Sequence, residues 1–257
     1  MNNNKFAGSD DAIVNPFKGR HAPDLGRVAV MVSAVSDLHS VRRLIIPETD
    51  DYRRLYTSRL YIKPQKNSAR TGETSPVAVI GPYIGAPYAV MLLETLIKWG
   101  ADKIIVFGLC GSISTDICIG DIVVPTSALV DEGVSRHYHH QENRPSPASE
   151  TIVHHIKKGL VENGQTFHEG PVWTTDAIYR ETVSAVQHFQ KKNALAVEME
   201  LSALFSVARF RGVEIGAILV VSDELATMQW KPGFKEACFK QACHSVCTVI
   251  SKLWSCI

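Results

Sequence analysis

Residues Gly81–Ile113 read GPYIGAPYAVMLLETLIKWGADKIIVFGLCGSI. Within this stretch, apolar residues recur at helical spacing from Gly85 to Trp99, and the glycine that follows is typical of a helix end. Lys103–Phe107 is a short run of Ile and Val, which favours a buried strand. A helix that runs directly into a buried strand is typical of a sheet whose faces are covered by helices.

The same alternation continues on both sides of this stretch. We therefore expect one α/β domain over residues 21–257, with a central mixed, partly parallel β-sheet flanked by helices. Residues 1–20 are predicted to be a loose tail, and Pro64–Ser75 a polar loop. The other predicted strands are Arg27–Val35, Arg59–Lys63, Pro76–Ile80, Gly120–Val124, Thr166–Trp173, Leu195–Val197 and Glu214–Val221; the other predicted helices are Ser149–Glu162 (with Ser149 as N-cap), Glu181–Lys191, Glu200–Arg211 and Phe234–Trp254.

The composition excludes several classes of protein. Lys and Arg number 27 against 26 Asp and Glu, so no basic excess indicates a nucleic-acid partner. No apolar run approaches the roughly 20 residues that span a bilayer, and the N-terminus lacks the apolar stretch of a signal peptide. We therefore expect a cytoplasmic protein that binds neither nucleic acid nor membrane.

Two glycine-containing segments follow predicted strands. Gly81–Pro87 joins a strand to a helix, where a glycine such as Gly85 lets backbone N–H groups approach an oxyanion or hydroxyl. Gly108–Ser112 follows the strand Lys103–Phe107 and contains Cys110 and Gly111. Each segment is either a ligand-facing loop or a structural turn, and the pattern alone leaves both interpretations open.

Two carboxylates, Glu198 and Glu200, lie where a predicted strand turns into a helix. One of them can face a ligand while the other makes a structural contact. A carboxylate that faces a sugar accepts hydrogen bonds from two vicinal hydroxyls, which fits ribose. The alternative is a carboxylate that complements the dipole at the helix N-terminus.

Asp223 lies at the end of the strongest predicted strand in the chain, Glu214–Val221. A partly desolvated carboxyl group at the end of a buried strand is suited to general acid catalysis. The alternative is that Asp223 is the N-cap of a helix.

The segment Arg136–His140 (RHYHH) is rich in histidine. It contains no cysteine or carboxylate at the spacing of a metal site, and the His-Glu-x-x-His pattern of hydrolytic zinc sites is absent. We therefore expect no metal ion.

Taken together and in this order, five segments resemble the nucleoside phosphorylase superfamily, which includes uridine phosphorylase, hexameric purine nucleoside phosphorylase and methylthioadenosine nucleosidase. The resemblance extends over about residues 27–250. The five segments are Gly81–Ile113, Ile119–Tyr138, Thr174–Thr182, Ala196–Ala208 and Val220–Leu225.

The resemblance implies a catalytic domain that cleaves the N-glycosidic bond of a small-molecule nucleoside, without a metal or organic cofactor, in a homo-oligomer (dimer or hexamer). It implies that Glu200 binds the ribose 2′- and 3′-hydroxyls, that Met199 packs against the sugar, and that Asp223 protonates a purine ring nitrogen as the base leaves. Further substrate-binding residues are expected to be Tyr179 in the base pocket, Glu198, Gly85, Cys110, Gly111, Arg180, and His21 from a neighbouring subunit at the sugar 5′-hydroxyl.

The chain departs from the family at the phosphate site. Phosphorolytic members carry Gly-Asp-Pro-x-Arg after the first strand, where this chain has Ser33–Asp37. They also carry an arginine and a Ser or Thr at the positions of Val106 and Leu109. A phosphate dianion needs charge-assisted donors, which leaves Arg42, Arg43 or Arg180 to supply them. Otherwise the acceptor is water rather than inorganic phosphate.

Two further points concern the substrate and the activity. The Gln-x-Arg that reads uracil in uridine phosphorylases is absent after Tyr179, which favours a purine-type base. Loss of the phosphate-binding residues also leaves open a nucleoside-binding or sensor protein without turnover, because a fold does not determine a function.

Overall fold

The computed structural model describes residues 12–63, 76–138 and 144–257. The predicted loop Pro64–Ser75, the first eleven residues of the tail, and His139 and His140 lie outside these ranges. Among the described residues, eleven strands form one sheet. They are β1 (Val28–Val32), β2 (Arg53–Leu55), β3 (Ser58–Lys63), β4 (Val77–Gly81), β5 (Lys103–Ser112), β6 (Ile122–Asp131), β7 (Ser146–Pro147), β8 (His168–Thr175), β9 (Ala196–Glu198), β10 (Glu214–Glu224) and β11 (Lys231–Pro232).

The described chain also contains six α-helices and two 3₁₀ turns. They are α1 (Val35–Ile45), α2 (Ala86–Trp99), α3 (Glu150–Glu162), α4 (Val183–Gln190), α5 (Leu201–Arg211) and α6 (Ala237–Leu253), together with the 3₁₀ turns Ser135–His137 and Ile178–Arg180. In the described part of the chain, no helix is long and apolar enough to cross a bilayer.

The sheet is mixed and partly closes on itself. β5 pairs with β10, β10 with β6, β6 with β8, β8 with β9, and β9 with β5, so these five strands form a ring. β1, β4, β3 and β2 extend from β5 as an open wing. The pairs β1–β4, β1–β5, β5–β10, β6–β8 and β8–β9 are parallel, whereas β5–β9 and β10–β6 are antiparallel. The predicted α/β class with a partly parallel sheet is confirmed.

Helices cover both faces of the sheet. Successive side chains of β1 point to opposite faces. Accordingly, Ala29 and Met31 join the core formed with α2 and α5, while Val28, Val30 and Val32 join the core formed with α1, α3 and α6. The predicted strands are short apolar runs because both of their faces are buried.

Two strands continue past their predicted ends. β5 extends through the glycine-containing segment to Ser112, and β10 extends to Glu224. Gly108–Ser112 is therefore strand rather than turn, since it pairs with β10 on one side and partly with β9 on the other. A Cβ on Gly111 would lie 2.6 Å from Leu225 Cδ1 and 3.1 Å from Asp223 Oδ2, so glycine is needed for this close packing.

Ser149 is the N-cap residue of α3, as predicted, but its side chain makes no capping hydrogen bond. Its Oγ accepts a hydrogen bond from the Ile215 N–H at 2.8 Å, and its own N–H donates to the Ile215 carbonyl at 2.8 Å. The serine therefore fixes the start of α3 to the first residues of β10.

Part of the predicted tail is tied to the domain. The indole N–H of Trp99 donates to the Phe17 carbonyl at 2.9 Å, and the ammonium of Lys18 donates to the Trp99 carbonyl at 3.0 Å. These contacts join residues 17 and 18 to the C-terminal end of α2.

Two phenylalanines on α5 test the assignment of its buried face. Phe205 is fully buried, whereas Phe210 is 57% exposed. We expect Phe205→Ala to lower the free energy of unfolding by about 3–5 kcal/mol, because it removes a large core side chain and leaves a cavity. The control Phe210→Ala should cost no more than about 1 kcal/mol. Urea unfolding of both variants measures the difference, and equal losses would contradict the assignment.

Candidate active site

A cavity of about 290 Å³ lies beyond the carboxyl ends of the parallel strands β1, β4, β5 and β10. Open α/β sheets commonly bind ligands at this edge. Residues from all four segments that the sequence analysis places at strand ends come together here. The lining residues are Ser33, Ala34, Tyr83, Ile84, Leu109, Cys110, Gly111, Ile178, Glu181, Val197, Glu198, Met199, Glu200, Ser222, Asp223 and Phe234.

Glu198 is buried and makes structural hydrogen bonds. Its carboxylate accepts from the Glu200 N–H at 2.7 Å and the Leu201 N–H at 2.8 Å, and also from the Thr174 hydroxyl. These N–H groups belong to the start of α5, so Glu198 satisfies donors that a helix N-terminus leaves open. Glu198 is thus the carboxylate of the pair that makes the structural contact, although it also borders the cavity.

Glu200 faces the cavity and bonds to the turn before α2. Its Oε1 accepts from the Gly85 N–H at 2.5 Å, and Gly85 has a φ of 82° that favours glycine. The sequence analysis expected this N–H to approach an oxyanion or hydroxyl. In the structure, the oxyanion that it meets is the carboxylate of Glu200. This bond positions Glu200 on the cavity wall, next to Met199.

The two glutamates retain protons near neutral pH. Burial, reinforced by the charge of Glu200, raises the pKa of Glu198 to about 8. Burial raises the pKa of Glu200 to about 7, against hydrogen bonds from backbone N–H groups that favour the ionised form. Because the charge of Glu200 opposes ionisation of Glu198, the pair retains at least one proton near neutral pH.

Tyr83 lines the cavity and has a buried hydroxyl without a partner in the described chain. The residue is 5% exposed, and its hydroxyl has no hydrogen-bond partner among the described residues. Burial and the charges of Glu200 and Glu198 raise the pKa of Tyr83 well above its ordinary value, so the group stays protonated. A buried hydroxyl without a partner is unusual in a folded protein, because such groups are nearly always hydrogen-bonded.

Asp223 is held by two donors at an irregular point of β10. The Ser222 hydroxyl donates to Oδ1 at 2.7 Å, and the Trp230 indole N–H donates to Oδ2 at 2.9 Å. The register between β10 and β5 shifts between Val221 and Asp223, and Asp223 pairs with Gly111. No helix begins here, because the next element in the described chain is β11, so the alternative of a helix N-cap is wrong.

Glu181 is a cavity residue that the sequence analysis did not identify. It is half-buried, and burial together with the charge of Asp223 raises the pKa of its carboxyl group to about 7. Ile178 also lines the cavity, three residues earlier. A 3₁₀ turn has three residues per turn, so Ile178 and Glu181 lie on the same side of it. A 3₁₀ turn of three residues leaves no periodicity in the sequence from which either residue could have been found.

The structure places Tyr179 and Arg180 away from this cavity. Tyr179 is 97% exposed and Arg180 is exposed, and neither lines the wall. Within this chain, Ile178 takes the place beside the cavity that the sequence analysis gives to Tyr179. His21 is also exposed, and its carbonyl accepts from the Arg53 guanidinium at 2.8 Å.

The remaining arginines considered for phosphate are also elsewhere. Arg42 is buried and its guanidinium pairs with Asp50 and donates to the Thr49 carbonyl at 3.0 Å. Arg43 is exposed on α1 and does not line the cavity. Val106 is buried in the core, whereas Leu109 lines the cavity.

The cavity is therefore lined by carboxyl groups without cations. Glu181, Glu198, Glu200 and Asp223 line it, and no Lys, Arg or His from the described ranges does. In the same part of the chain, no group of three His, Cys, Asp or Glu side chains is placed to hold a metal ion. Such a wall disfavours a bound dianion and favours neutral or positively charged groups.

Comparison with known proteins identifies relatives of this chain. Residues 43–254 match the model of the phosphorylase superfamily. A guanosine phosphorylase from Halorubrum lacusprofundi is 34% identical over 142 residues, which cover 55% of this chain and 58% of that protein. A DeoD-type purine nucleoside phosphorylase from Colwellia psychrerythraea is 32% identical over 152 residues, which cover 59% of this chain and 65% of that protein. The matched stretch thus spans less than two thirds of these two relatives.

Solved structures share the fold. Purine nucleoside phosphorylase from Toxoplasma gondii, in complex with immucillin-H, superposes with a TM-score of 0.76 at 20% identity, covering 90% of this chain and 91% of that one. Uridine phosphorylase from Vibrio fischeri superposes with a TM-score of 0.71 at 22% identity, covering 89% and 91%.

The raised pKa values predict a pH dependence of stability. A folded-state pKa above the ordinary 4.5 means that the native protein keeps protons that the unfolded chain has released. The free energy of unfolding should therefore fall as the pH rises from about 4.5 to about 8. Glu198→Gln removes one of these titrating groups, so its stability should fall less over the same range.

Urea midpoints of the wild type and Glu198→Gln at intervals from pH 5 to pH 8.5 provide the measurement. Glu181 and Asp37, whose pKa values are also raised, are common to both proteins and do not affect the comparison. Identical pH slopes for the two proteins would contradict the assignment of a raised pKa to Glu198.

Proposed function

We propose that this chain is an enzyme that cleaves the N-glycosidic bond of a purine-type nucleoside. The chain belongs to the phosphorylase superfamily. The observation that carries the proposal is that Glu200 and Asp223 line the same cavity at the carboxyl edge of the sheet. The names of the guanosine and purine nucleoside phosphorylases among its relatives support it.

Each carboxyl group has a distinct part in the proposed reaction. Glu200 accepts hydrogen bonds from the ribose 2′- and 3′-hydroxyls, and Met199 packs against the sugar. Asp223 donates a proton to the ring nitrogen of the departing purine, and Ser222 and Trp230 hold it in position. Positive charge develops on the ribosyl group as the bond breaks, and fixed carboxylates in a partly buried site stabilise it.

We propose water as the acceptor of the ribosyl group. The wall near the end of β1 is formed by Ser33, Ala34 and Leu109, which offer no positive charge. A phosphate dianion desolvated there without a cationic partner pays several kcal/mol.

Phosphorolysis is the second candidate, because the relatives named above are phosphorylases. It would need a cation from outside the described cavity wall, and Arg180 is the nearest in sequence to a cavity residue, Glu181. A nucleoside-binding protein without turnover is favoured only by the loss of the family's phosphate-binding residues. The presence of both Glu200 and Asp223 in the cavity supports a reaction.

We also propose that the protein acts in the cytoplasm as a homo-oligomer, either a dimer or a hexamer. The substrate-binding role that we propose for four further residues is indirect, through the backbone or through neighbouring side chains. These residues are Gly85, Cys110, Gly111 and Glu198. His21 and Tyr179 are exposed, which leaves them available to a neighbouring subunit. In this arrangement His21 reaches the sugar 5′-hydroxyl of the adjoining site.

Incubation with a panel of nucleosides, with and without inorganic phosphate, tests the reaction and its acceptor. We expect release of free purine base and free ribose, at a rate that changes less than about twofold with phosphate. Saturable dependence on phosphate, with ribose 1-phosphate as product, would establish phosphorolysis instead. If no nucleoside releases its base, the proposed activity is wrong.

Glu200→Gln tests the ribose contact. The amide replaces a carboxylate that accepts two hydrogen bonds with a group that also donates, so turnover should fall by about 100-fold or more. Its free energy of unfolding should stay within about 1 kcal/mol of the wild type, because shape and burial are kept. Glu162→Gln on α3, which is exposed, is the matched control for turnover. Near-normal activity of Glu200→Gln would refute the ribose assignment.

A further inference from the structure

A second cavity, of about 700 Å³, lies beside the C-terminal half of α5. Glu200, which lines the first cavity, is the N-cap residue of the same helix, whereas Arg209 and Phe210 in its last turns line the second cavity. Because an α-helix rises about 1.5 Å per residue, Glu200 and Arg209 lie about 13 Å apart along its axis. The two cavities share no lining residue, so they are separate sites.

The charge of the second cavity is opposite to that of the first. Arg144 and Arg209 line it, and no Asp or Glu from the described ranges does. In the same part of the chain, neither guanidinium has a carboxylate within ion-pair distance. By contrast, the nearby guanidinium of Arg211 donates to the carboxylate of Glu94 at 2.8 and 2.9 Å. Two cations in one cavity without an acid repel each other and attract an anion.

Hydrogen bonds hold the walls of the second cavity together. The hydroxyls of Ser146 on β7 and Ser206 on α5 share a hydrogen bond at 2.7 Å, and the Ser206 hydroxyl also lies 3.0 Å from that of Ser135. β7 in turn pairs with β6 through Ser127 and Ala128. These walls are thus fixed before a ligand binds, which reduces the entropy that binding costs.

Aromatic side chains also line the second cavity. Phe205 is fully buried, and the ring of the exposed Phe210 meets that of Tyr138 edge to face, with a centroid distance of 5.5 Å. Phe205 and Arg209 are four residues apart on α5, so they lie on the same side of the helix. A ligand in this cavity therefore meets aromatic rings next to positive charge.

We propose that the second cavity binds a phosphate monoester joined to an aromatic ring, which is the chemistry of a nucleoside 5′-monophosphate. A phosphate dianion matches the two guanidinium groups of Arg144 and Arg209, which bind phosphate oxygens through paired N–H donors. The ring of the ligand packs against Tyr138 and Phe210. A volume of about 700 Å³ suits a ligand of this size. This binding does not depend on the proposed reaction, because no residue of the first cavity takes part in it.

Calorimetry with adenosine 5′-monophosphate tests the proposal. Ribose 5-phosphate, which carries the same charged group but no base, is the matched probe. The wild type should bind the nucleotide about tenfold or more tightly than the sugar phosphate, because only the nucleotide brings a ring to the aromatic side chains.

Arginine variants test the contact with the phosphate group. Arg144→Gln and Arg209→Gln should each weaken binding of the nucleotide by about tenfold or more, because each removes charge-assisted hydrogen bonds. Arg43→Gln is the matched control, since Arg43 is exposed on α1 and lines neither cavity. It should change the affinity by less than about twofold.

Two further variants test the contact with the ring and the location of the site. Phe210→Ala should weaken binding of the nucleotide by about fivefold or more and change binding of ribose 5-phosphate by less than about twofold. Glu200→Gln, in the first cavity, should keep the affinity for the nucleotide within about twofold of the wild type.

Several outcomes would overturn the inference. They are no measurable binding of the nucleotide by the wild type, equal binding of the nucleotide and the sugar phosphate, unchanged binding in either folded arginine variant, an equal effect of Phe210→Ala on both ligands, and loss of binding in Glu200→Gln. Because base release is not measured in these experiments, their outcome is independent of whether the proposed reaction occurs.

Discussion

The pairing of Gly111 fixes the geometry on which the site depends. On one side Gly111 pairs with Asp223 in the ladder between β5 and β10, and on the other it pairs with Val197 of β9. One strand residue therefore holds the two segments that supply Glu198, Glu200 and Asp223 to the cavity. Any side chain at this position would meet Leu225 and Asp223, so the approach of the strands requires glycine.

The contacts around α5 extend this arrangement to the wing of the sheet. Glu198 satisfies N–H groups at the start of α5, and Glu200 accepts from Gly85 before α2. The cavity wall is thus joined to the core formed by α2 and α5, so the side chains that face the cavity are positioned by the same bonds that stabilise the helices. Pre-organisation of this kind lets fixed charges act on a transition state without rearrangement.

Much of the fold follows from the sequence, because apolar runs and amphipathic stretches alternate along the chain and each run is buried on both faces. The ends of β5 and β10 do not follow from it. Gly108 and Gly111 suggest a turn locally, but pairing with neighbouring strands keeps them extended. Likewise Ser149 has the sequence of an N-cap, yet a tertiary hydrogen bond to Ile215 uses its hydroxyl. In each case a partner distant in the sequence determines the outcome.

The site could be predicted in part, because several of its residues lie at the ends of strands that the sequence indicates. Glu200, Met199, Cys110, Gly111 and Asp223 lie at strand ends, and the carboxyl edge of a parallel sheet brings such ends together. The segment before α4 is not a strand end, and its 3₁₀ turn decides which side chains face inward. That turn directs Ile178 and Glu181 to the cavity and leaves Tyr179 exposed. A turn of three residues is too short for its periodicity to be recognised in the sequence, so the side chains that face inward cannot be predicted.

The first helix gives the final reason to favour water over phosphate. Asp37 lies at the end of the segment where phosphorolytic members of the family place an arginine, and it is buried between α1 and α6, where Cys247 donates to its carbonyl. Burial raises the pKa of Asp37 to about 6, which makes this region less, not more, suited to an anion. Arg42 cannot compensate, because its guanidinium is held by Asp50 and Thr49. The charge that a phosphate needs is thus missing at the start of the helix as well as on the cavity wall, and a neutral acceptor meets no such requirement.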